Sequence, residues 1–168
     1  MIISPQIGLH EDVLALDYDS EYANLIVNHN LSYETVGGGE ARKGLLPSVV
    51  ERYLKRRLYF KNLLKEFPRD STESVWYEQR VSSLKNILYG STGSLWNRYG
   101  NVLAFEEINR LSREVLIKTK DIVQDLGYEL VYADTDSVFI KRKDSSASDY
   151  NEVIDTLSAQ TGLIDINL

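Results

Sequence analysis

The stretch that decides the fold is Leu130-Val131-Tyr132-Ala133-Asp134-Thr135-Asp136-Ser137-Val138-Phe139-Ile140. Its apolar, largely β-branched ends predict two short strands, and Asp134-Thr135-Asp136 falls where the connecting turn is expected. Two acidic side chains held close together at the tip of a hairpin repel each other unless a cation lies between them. The alternative interpretation is a solvated turn rich in aspartate.

A third carboxylate, Asp17, ends the segment Val13-Leu14-Ala15-Leu16, which predicts a buried strand. If this strand pairs with the hairpin, Asp17 lies beside Asp134 and Asp136 at one sheet edge. Mg²⁺ takes oxygen ligands, and two-metal sites for phosphoryl transfer combine a few carboxylates with substrate phosphates. Three converging carboxylates therefore predict a site for two Mg²⁺ ions, completed by backbone carbonyls and phosphate oxygens.

The composition is that of an ordinary soluble globular protein, with 43% hydrophobic and 26% charged residues among 168. No apolar run approaches the ~20 residues that a membrane span needs, and no signal peptide is visible. The absence of cysteine excludes disulfides and thiolate metal sites and fits a cytoplasmic protein. His10 and His29 do not have the spacing of metal ligands. We expect one domain, or one domain with a projecting subdomain, and no membrane partner.

Charge is unevenly distributed along the chain. A net charge of −6 argues against a nucleic-acid binder that relies on bulk charge alone. Between residues 42 and 65, however, the only acidic residue is Glu51, and the basic residues are Arg42, Lys43, Arg52, Lys55, Arg56, Arg57, Lys61 and Lys65. This basic segment predicts a specific anionic ligand.

The basic segment forms part of a predicted helical hairpin. Helical patterns over about 47–68 and 73–88 are joined by a short polar turn, which predicts an antiparallel pair. Arg57 and Lys61 are four residues apart and share a face, and Lys85 can face them from the second helix. Such cations opposite a metal site form a clamp for a triphosphate. The alternative is a solvated basic helix face.

The remaining patterns place these features in an α+β fold. They predict a short helix or turn over 21–28, a glycine loop at 37–39, an irregular segment over 89–100, an amphipathic helix over 102–126 capped by Gly127, a polar loop over 145–148 and a last helix over 149–159. The order strand, helical hairpin, long helix, β-hairpin predicts a sheet that carries the acidic residues.

These residues resemble the palm and fingers of a family B (alpha-like) DNA polymerase of archaeal type. Motif A is matched within 17–32, motif B within 79–100 and motif C, Tyr132 to Ser137, within the β-hairpin, and Gly44-Leu45-Leu46-Pro47 resembles the lead into the fingers. The resemblance implies a polymerase palm, an antiparallel sheet with packed helices, carrying a two-helix antiparallel fingers hairpin. It divides the chain into palm (1–42), fingers (43–92) and palm (93–168).

The resemblance also implies an activity, that of a DNA-directed DNA polymerase. Such an enzyme transfers a nucleotide from a dNTP to a primer 3′-hydroxyl on a DNA template, using two Mg²⁺ ions, for which Mn²⁺ can substitute. Asp17 and Asp136 would ligate both metals, the Tyr18 carbonyl would add a ligand, and Asp134 would have a less essential catalytic role. One metal would activate the primer hydroxyl while the other neutralises the departing pyrophosphate.

The implied dNTP contacts are spread over motif A and the fingers. Amides around Ser20 and Glu21 would meet the triphosphate, and Tyr22 would pack beneath the sugar and exclude a 2′-hydroxyl. The β- and γ-phosphates would meet the cations of the hairpin. The full set of implied dNTP-binding residues is Tyr18, Ser20, Glu21, Tyr22, Arg57, Lys61, Lys85 and Asn86.

The chain departs from the family pattern in each motif. Motif A has Ser-Glu-Tyr-Ala-Asn where Ser-Leu-Tyr-Pro-Ser is common, and motif C has Ala133 in place of glycine. In motif B, three residues separate Lys85 from Tyr89, three fewer than usual, which shortens a helix by ~4.5 Å and rotates it by ~60°. One register keeps Lys85 as the phosphate ligand, and the other puts Ser82 there. We favour Lys85, because it follows the usual small residue and leucine.

No exonuclease or thumb sequence accompanies the palm and fingers motifs. A thumb grips duplex DNA through its phosphates, so we expect a fragment or subunit that needs a thumb, and an exonuclease, from another polymerase chain. The alternative is a catalytically silent palm-like scaffold or assembly subunit of a polymerase. An unrelated Mg²⁺-dependent nucleotidyltransferase or cyclase would also use paired aspartates, but the basic hairpin argues against it.

Overall fold

The computed structural model describes residues 2–36, 42–92, 100–163 and 166–167 and has an α+β fold, as predicted. Its elements are β1 (Ile2–Ile3), β2 (Val13–Tyr18), α1 (Glu21–Asn28), α2 (Leu45–Leu64), α3 (Thr72–Thr92), α4 (Val102–Asp125), β3 (Glu129–Asp134), β4 (Ser137–Lys141), α5 (Ala147–Thr161) and β5 (Ile166–Asn167). Two compact units comprise residues 1–21 with 109–168, and residues 22–108. None of the described helices has the length and apolar character to cross a membrane.

The first unit contains a five-stranded sheet in the order β1-β3-β4-β2-β5, with every neighbouring pair antiparallel. The predicted hairpin is confirmed: β3 and β4 are joined by the two-residue turn Thr135-Asp136. Thr135 has a φ of 49°, because a two-residue hairpin turn needs a positive φ at its first position even when no glycine is present. The predicted pairing of the first strand with this hairpin is also confirmed, since β2 runs along β4.

Two details of the sheet differ from the sequence prediction. The strand β2 is not buried along its length: Leu16 and Tyr18 are buried, whereas Ala15 and Asp17 are exposed. Successive side chains of a strand point to opposite faces, so one face of β2 is covered and the other is open. The two-residue strands β1 and β5 were not predicted, because so short a segment carries no measurable periodicity.

The hydrophobic core of the first unit joins one face of the sheet to α4 and α5. The cluster includes Leu116 and Val123 from α4, Leu157 from α5, and Val138 and Ile140 from β4. Complete burial of each such side chain contributes about 1.5–3 kcal/mol. Leu116 and Val123 are seven residues apart, two turns along one face of α4.

Glycine and serine set the ends of the helices in this unit. Gly127 follows α4 with a φ of 80°, which confirms the predicted cap. The last helix begins at Ala147 rather than at the predicted residue 149. Ser146 and Asp149 form a reciprocal capping box at its N-terminus, so the serine-rich segment starts the helix instead of forming a separate loop.

The second unit contains the predicted helical hairpin, formed by α2 and α3. The buried stripe of α2 consists of Val50, Leu54, Arg57 and Phe60 with Pro47 at its start. Phe60 packs against the next helix, with ring-centre distances of 6.2 Å to Trp76 and 5.8 Å to Tyr77. Apolar spacing along α2 therefore predicted the hairpin correctly.

The start of α2 is tied to residues 30–35 through Gly44. Its N–H donates to the side-chain oxygen of Asn30 at 2.7 Å. A Cβ atom at this position would lie 2.7 Å from the Cβ of Ser32, so the close approach of the two segments requires glycine.

The second helix of the hairpin is longer than predicted. α3 continues through Gly90 to Thr92, so the prediction of irregular structure is wrong for residues 89–92. Residues 93–99, and the glycines at 37–39, lie outside the described residues. A single glycine costs a helix about 1 kcal/mol, which the surrounding helical residues can offset.

Candidate active site

The sheet register places two of the candidate aspartates in one row. Asp134 lies opposite Ser137, and Ser137 lies opposite Asp17. Cross-strand partners point to the same face, so these three side chains share a face of the sheet. Because β4 runs between them, the Cα atoms of Asp17 and Asp134 are separated by two strand spacings, about 10 Å.

Asp17 and Asp136 are brought together more directly. The hydroxyl of Ser137 donates to Oδ1 of Asp17 at 2.8 Å. The N–H of Tyr18 donates to the backbone carbonyl of Asp136 at 2.9 Å. Strand pairing therefore brings together two acidic residues that are far apart in the chain.

Asp134 is held by its own strand and turn. Its two carboxylate oxygens accept hydrogen bonds from the Thr135 hydroxyl at 3.0 Å and from the Tyr132 hydroxyl at 3.4 Å. Burial and the neighbouring Asp134 carboxylate raise the pKa of Tyr132. Within the part of the chain that the structure describes, no three His, Cys, Asp or Glu side chains are grouped to hold a metal ion. The expected convergence of three aspartates is therefore not found, since β4 separates Asp17 from Asp134.

A different carboxyl, that of Glu21 at the start of α1, lies near the Asp17–Asp136 pair. It is only 2% exposed, and its Oε2 accepts a hydrogen bond from Ser112 at 3.3 Å. Its Oε1 is buried and has no hydrogen-bond partner among the described residues. Burial is the main cause that raises the pKa of Glu21 to about 8; the charges of Asp136 and Asp17 contribute to the rise, and the Ser112 hydrogen bond opposes it.

The sequence predicts a role only for the backbone amide of Glu21. The sequence signal that the Glu21 side chain is unusual is its position in motif A, where the family commonly has leucine. A carboxyl at an apolar position predicts either exposure or a neutral, protonated form. With a pKa of about 8, Glu21 is mainly protonated at pH 7.

The segment between β2 and α1 positions the other motif A residues. The side chain of Tyr18 is buried and bonded to the Thr119 hydroxyl at 2.5 Å, and burial raises its pKa to about 12. Tyr18 therefore anchors the strand as a neutral phenol. Ser20 has a φ of 55°, and its hydroxyl donates to Asp19 at 3.2 Å. Tyr22 is half-buried on α1.

The cations of the candidate phosphate clamp lie in different environments within the second unit. Arg57 is 6% exposed and belongs to the buried stripe of α2, whereas Lys61 is half-buried and Lys85 is exposed. The alternative of a solvated basic face therefore does not apply to Arg57. Phe60 and Tyr77 are in contact and serve as a common origin on the two antiparallel helices. Measured from there along the hairpin axis, away from the connecting turn, Lys85 lies about 7.5 Å beyond Arg57.

The two motif B registers lie on one continuous helix. Ser82, Lys85 and Asn86 are all exposed on α3. Ser82 and Lys85 are three residues apart and are neighbours on the helix surface. Both registers, and the dNTP-binding roles on this helix, stay predictions.

Comparison with known proteins places these features in a family. The model of DNA polymerase family B matches residues 38–162, which include the helical hairpin, α4 and the β-hairpin with Asp134 and Asp136. The chain belongs to DNA polymerase family B. The resemblance to this family noted in the sequence is confirmed.

Individual family B relatives match nearly the whole chain. DNA polymerase 1 of Aeropyrum pernix is 31% identical over 97% of this chain and 19% of its own length. DNA polymerase 2 of Saccharolobus solfataricus is 27% identical over 97% of this chain and 25% of its own. The DNA polymerase alpha catalytic subunit of Xenopus laevis is 26% identical over 83% of this chain and 11% of its own.

A solved structure supports the same assignment. The family B DNA polymerase from the hyperthermophilic archaeon Pyrobaculum calidifontis superposes with a TM-score of 0.76 at 26% identity, covering 99% of this chain and 24% of that polymerase. The chain spans a quarter or less of the length of these relatives.

Proposed function

We propose that this chain carries the catalytic core of a DNA-directed DNA polymerase, which transfers nucleotides from dNTPs to a primer 3′-hydroxyl. In this proposal, residues 1–42 and 93–168 are palm and residues 43–92 are fingers. The observation that carries the proposal is the pairing of β2 with β4, which brings Asp17 beside Asp136 in a family B chain.

The donor set around this pair fits a hard divalent cation. Asp17 and Asp136, with the backbone carbonyl of Tyr18, would hold Mg²⁺ or Mn²⁺ through oxygen atoms. The raised pKa of Glu21 reflects, in part, the negative charges of these aspartates, and a bound cation would offset those charges. When bound, the metal ions would supply Lewis-acid stabilisation of the phosphoryl oxygens.

The surrounding residues would position the reacting groups. The hydroxyl of Ser137 limits the rotation of the Asp17 carboxylate through its hydrogen bond. The 3′-oxygen of the primer would attack the α-phosphorus as it loses its proton, and the bond to pyrophosphate would break. Amides at Ser20 and Glu21 would bind triphosphate oxygens, and Tyr22 would pack beneath the deoxyribose.

The helical hairpin would neutralise the departing pyrophosphate. Arg57, Lys61 and Lys85 would contact the β- and γ-phosphates, with Asn86 beside them on α3. The basic charge of this segment and its family match support the assignment. The primer–template would be DNA. The cytoplasmic location stays a prediction.

Primer extension tests the proposal. At high protein concentration and low salt, with Mg²⁺ and dNTPs, the wild-type chain is expected to extend a labelled primer. Asp136→Asn should lower the rate at least 100-fold, because removal of one charge from the metal site removes transition-state stabilisation. The matched variant Asp134→Asn, on the same turn, should lose much less.

Two results would contradict the proposal. One is extension that continues unchanged in Asp136→Asn. The other is a folded chain that does not extend a primer even with a thumb-bearing polymerase fragment added, which would favour the silent scaffold. Circular dichroism and thermal melting of each variant separate loss of chemistry from loss of structure.

A further inference from the structure

A groove with a volume of about 670 Å³ lies between α2 and α3, near the turn that joins them. Its lining combines aromatic and basic side chains and includes Arg52, Arg56, Tyr59, Trp76, Tyr77 and Arg80. Among the residues that the structure describes, no acidic side chain lines it. We call this feature the aromatic groove.

The arginines of the aromatic groove are held against its rings. The guanidinium carbon of Arg80 lies 3.5 Å from the ring centre of Trp76, and that of Arg56 lies 4.8 Å from the ring centre of Phe60. Such cation–π contacts are attractive and hold a guanidinium close to an aromatic ring. Nucleobases stack on guanidinium planes as well as on aromatic faces.

The positive charge of the groove is only partly neutralised within the described part of the hairpin, where the lining residue Lys55 pairs with Glu51. Glu51, the nearby acidic residue of α2, pairs with Lys43 and Lys55. Among the described residues, no carboxylate forms an ion pair with Arg52, Arg56 or Arg80. The groove therefore presents a local excess of positive charge on a chain whose net charge is −6.

The aromatic side chains of the groove are unusually accessible. Tyr59 is 55% exposed and Trp76 is 46% exposed. Exposed aromatic rings that border charged residues mark interaction surfaces rather than core packing. Rings interleaved with arginines are the features that bind single strands, because phosphates meet the cations while unpaired bases stack on the rings.

We propose that the aromatic groove binds single-stranded nucleic acid. Duplex DNA fits it poorly, because paired bases are already stacked on one another and cannot stack on Trp76 or Tyr59. An acidic peptide would match the charge but would leave the exposed rings unused. The site is distinct from the proposed dNTP clamp and needs neither metal nor nucleotide.

Binding of a fluorescein-labelled 20-nucleotide oligothymidylate, followed by anisotropy in EDTA without dNTPs, tests this inference. Arg52→Gln/Arg56→Gln should weaken binding about 10-fold and reduce the slope of log K against log salt by about 1.4, the value for two lost phosphate contacts on a single strand. The matched control Arg113→Gln/Lys143→Gln removes two exposed charges elsewhere and should change both quantities much less.

Fluorescence tests the stacking separately. The chain has two tryptophans, so Trp96→Phe leaves Trp76 as the single reporter, and its emission should be quenched on binding. In the parent chain, Trp76→Ala should weaken binding about 5- to 150-fold. Tyr53 is an exposed aromatic residue of α2 that does not line the groove, so Tyr53→Ala should leave binding unchanged.

Three outcomes would overturn the inference. The first is equal binding by the groove pair and the control pair. The second is unchanged Trp76 emission at saturating oligothymidylate. The third is binding of duplex DNA, or of polyglutamate at matched charge, that is as tight as binding of the oligothymidylate. Tighter binding of polyglutamate would assign the groove to an acidic protein segment. Catalysis plays no part in these binding experiments. A failure of single-strand binding therefore leaves the polymerase proposal intact, and a failure of primer extension leaves the single-strand binding proposal intact.

Discussion

The acidic sheet edge and the basic helical hairpin gather charge by opposite structural means. At the sheet edge, Asp17 and Asp136 are 119 positions apart in the sequence and are joined by strand pairing. In the hairpin, Arg57 and Lys61 come together because they lie one turn apart on α2. The first arrangement depends on long-range register, and the second on local helical geometry.

This difference affects which substitutions each region tolerates. A one-residue slip between β2 and β4 would move Asp17 to the other face of the sheet, because side chains alternate along a strand. The hairpin has no comparable register constraint, since each helix makes its own backbone hydrogen bonds. The sheet edge should therefore be sensitive to changes in pairing, and the hairpin to changes in side-chain packing.

The largest expected effect is a packing change in the hairpin. Phe60→Ala removes the buried ring that contacts Trp76 and Tyr77, and should lower the free energy of unfolding by about 3–5 kcal/mol. Hydrogen exchange should show the loss of protection in residues 45–92, with β3 and β4 largely unaffected. Equal loss in both regions would show that they unfold together. Tyr59→Ala, the exposed neighbour, is the control.

The next effect is the pH response of the sheet edge. The pKa of Glu21 is raised from 4.5 to about 8, so the folded chain keeps a proton that the unfolded chain releases. Stability from this group is complete below about pH 4.5 and is lost as pH rises through 8. Relative to wild type, Glu21→Gln should therefore gain about 2–4 kcal/mol between pH 5 and pH 8.

Urea unfolding at four pH values in EDTA measures this gain. Glu106→Gln, which removes an exposed carboxyl from α4, should show no such pH-dependent gain. A gain of the same size in both variants, or in neither, would show that burial of Glu21 does not shift its protonation.

A smaller effect tests the close approach at the start of the hairpin. Gly44→Ala would put a Cβ atom 2.7 Å from that of Ser32, and should cost about 1–3 kcal/mol as the two segments move apart. Gly90→Ala, where nothing lies within 4 Å of the added atom, should instead be neutral or stabilising because it favours the helix. Thermal melting of the two variants compares them directly, and equal melting points would contradict the close approach.

The smallest expected effect is at the sheet edge. Ser137→Ala removes the hydroxyl that donates to Asp17, and should change stability by less than about 1 kcal/mol because the site is partly exposed. If this hydrogen bond orients the carboxylate, the rate of primer extension should fall about 3- to 10-fold. Ser137→Thr keeps the donor and should restore most of the rate, whereas equal rates for Ala and Thr would show that orientation of Asp17 does not limit the reaction.

Prediction from sequence succeeded where structure is local. The helices α1, α2, α3 and α4 and the β3–β4 hairpin follow from periodicity, turn residues and caps, which depend on neighbouring positions. Even there, the prediction ends α3 too early, before Tyr89-Gly90. It also starts α5 too late, because the serine-rich segment predicts a loop whereas Ser146 caps the helix. The candidate aspartates could be identified because acidic residues next to apolar strand segments are recognisable from the sequence alone.

The sequence by itself determined the α+β composition of this chain, its helical hairpin and its membership of a polymerase family. Only the tertiary structure decided that Ser137 lies between Asp17 and Asp134, and that Glu21 and Arg57 are buried. It also decided that Arg56 and Arg80 lie over aromatic rings. The physical reason is that burial, pairing register and ring contacts depend on segments far apart in the chain, whereas helical and strand periodicity depends on residues a few positions away.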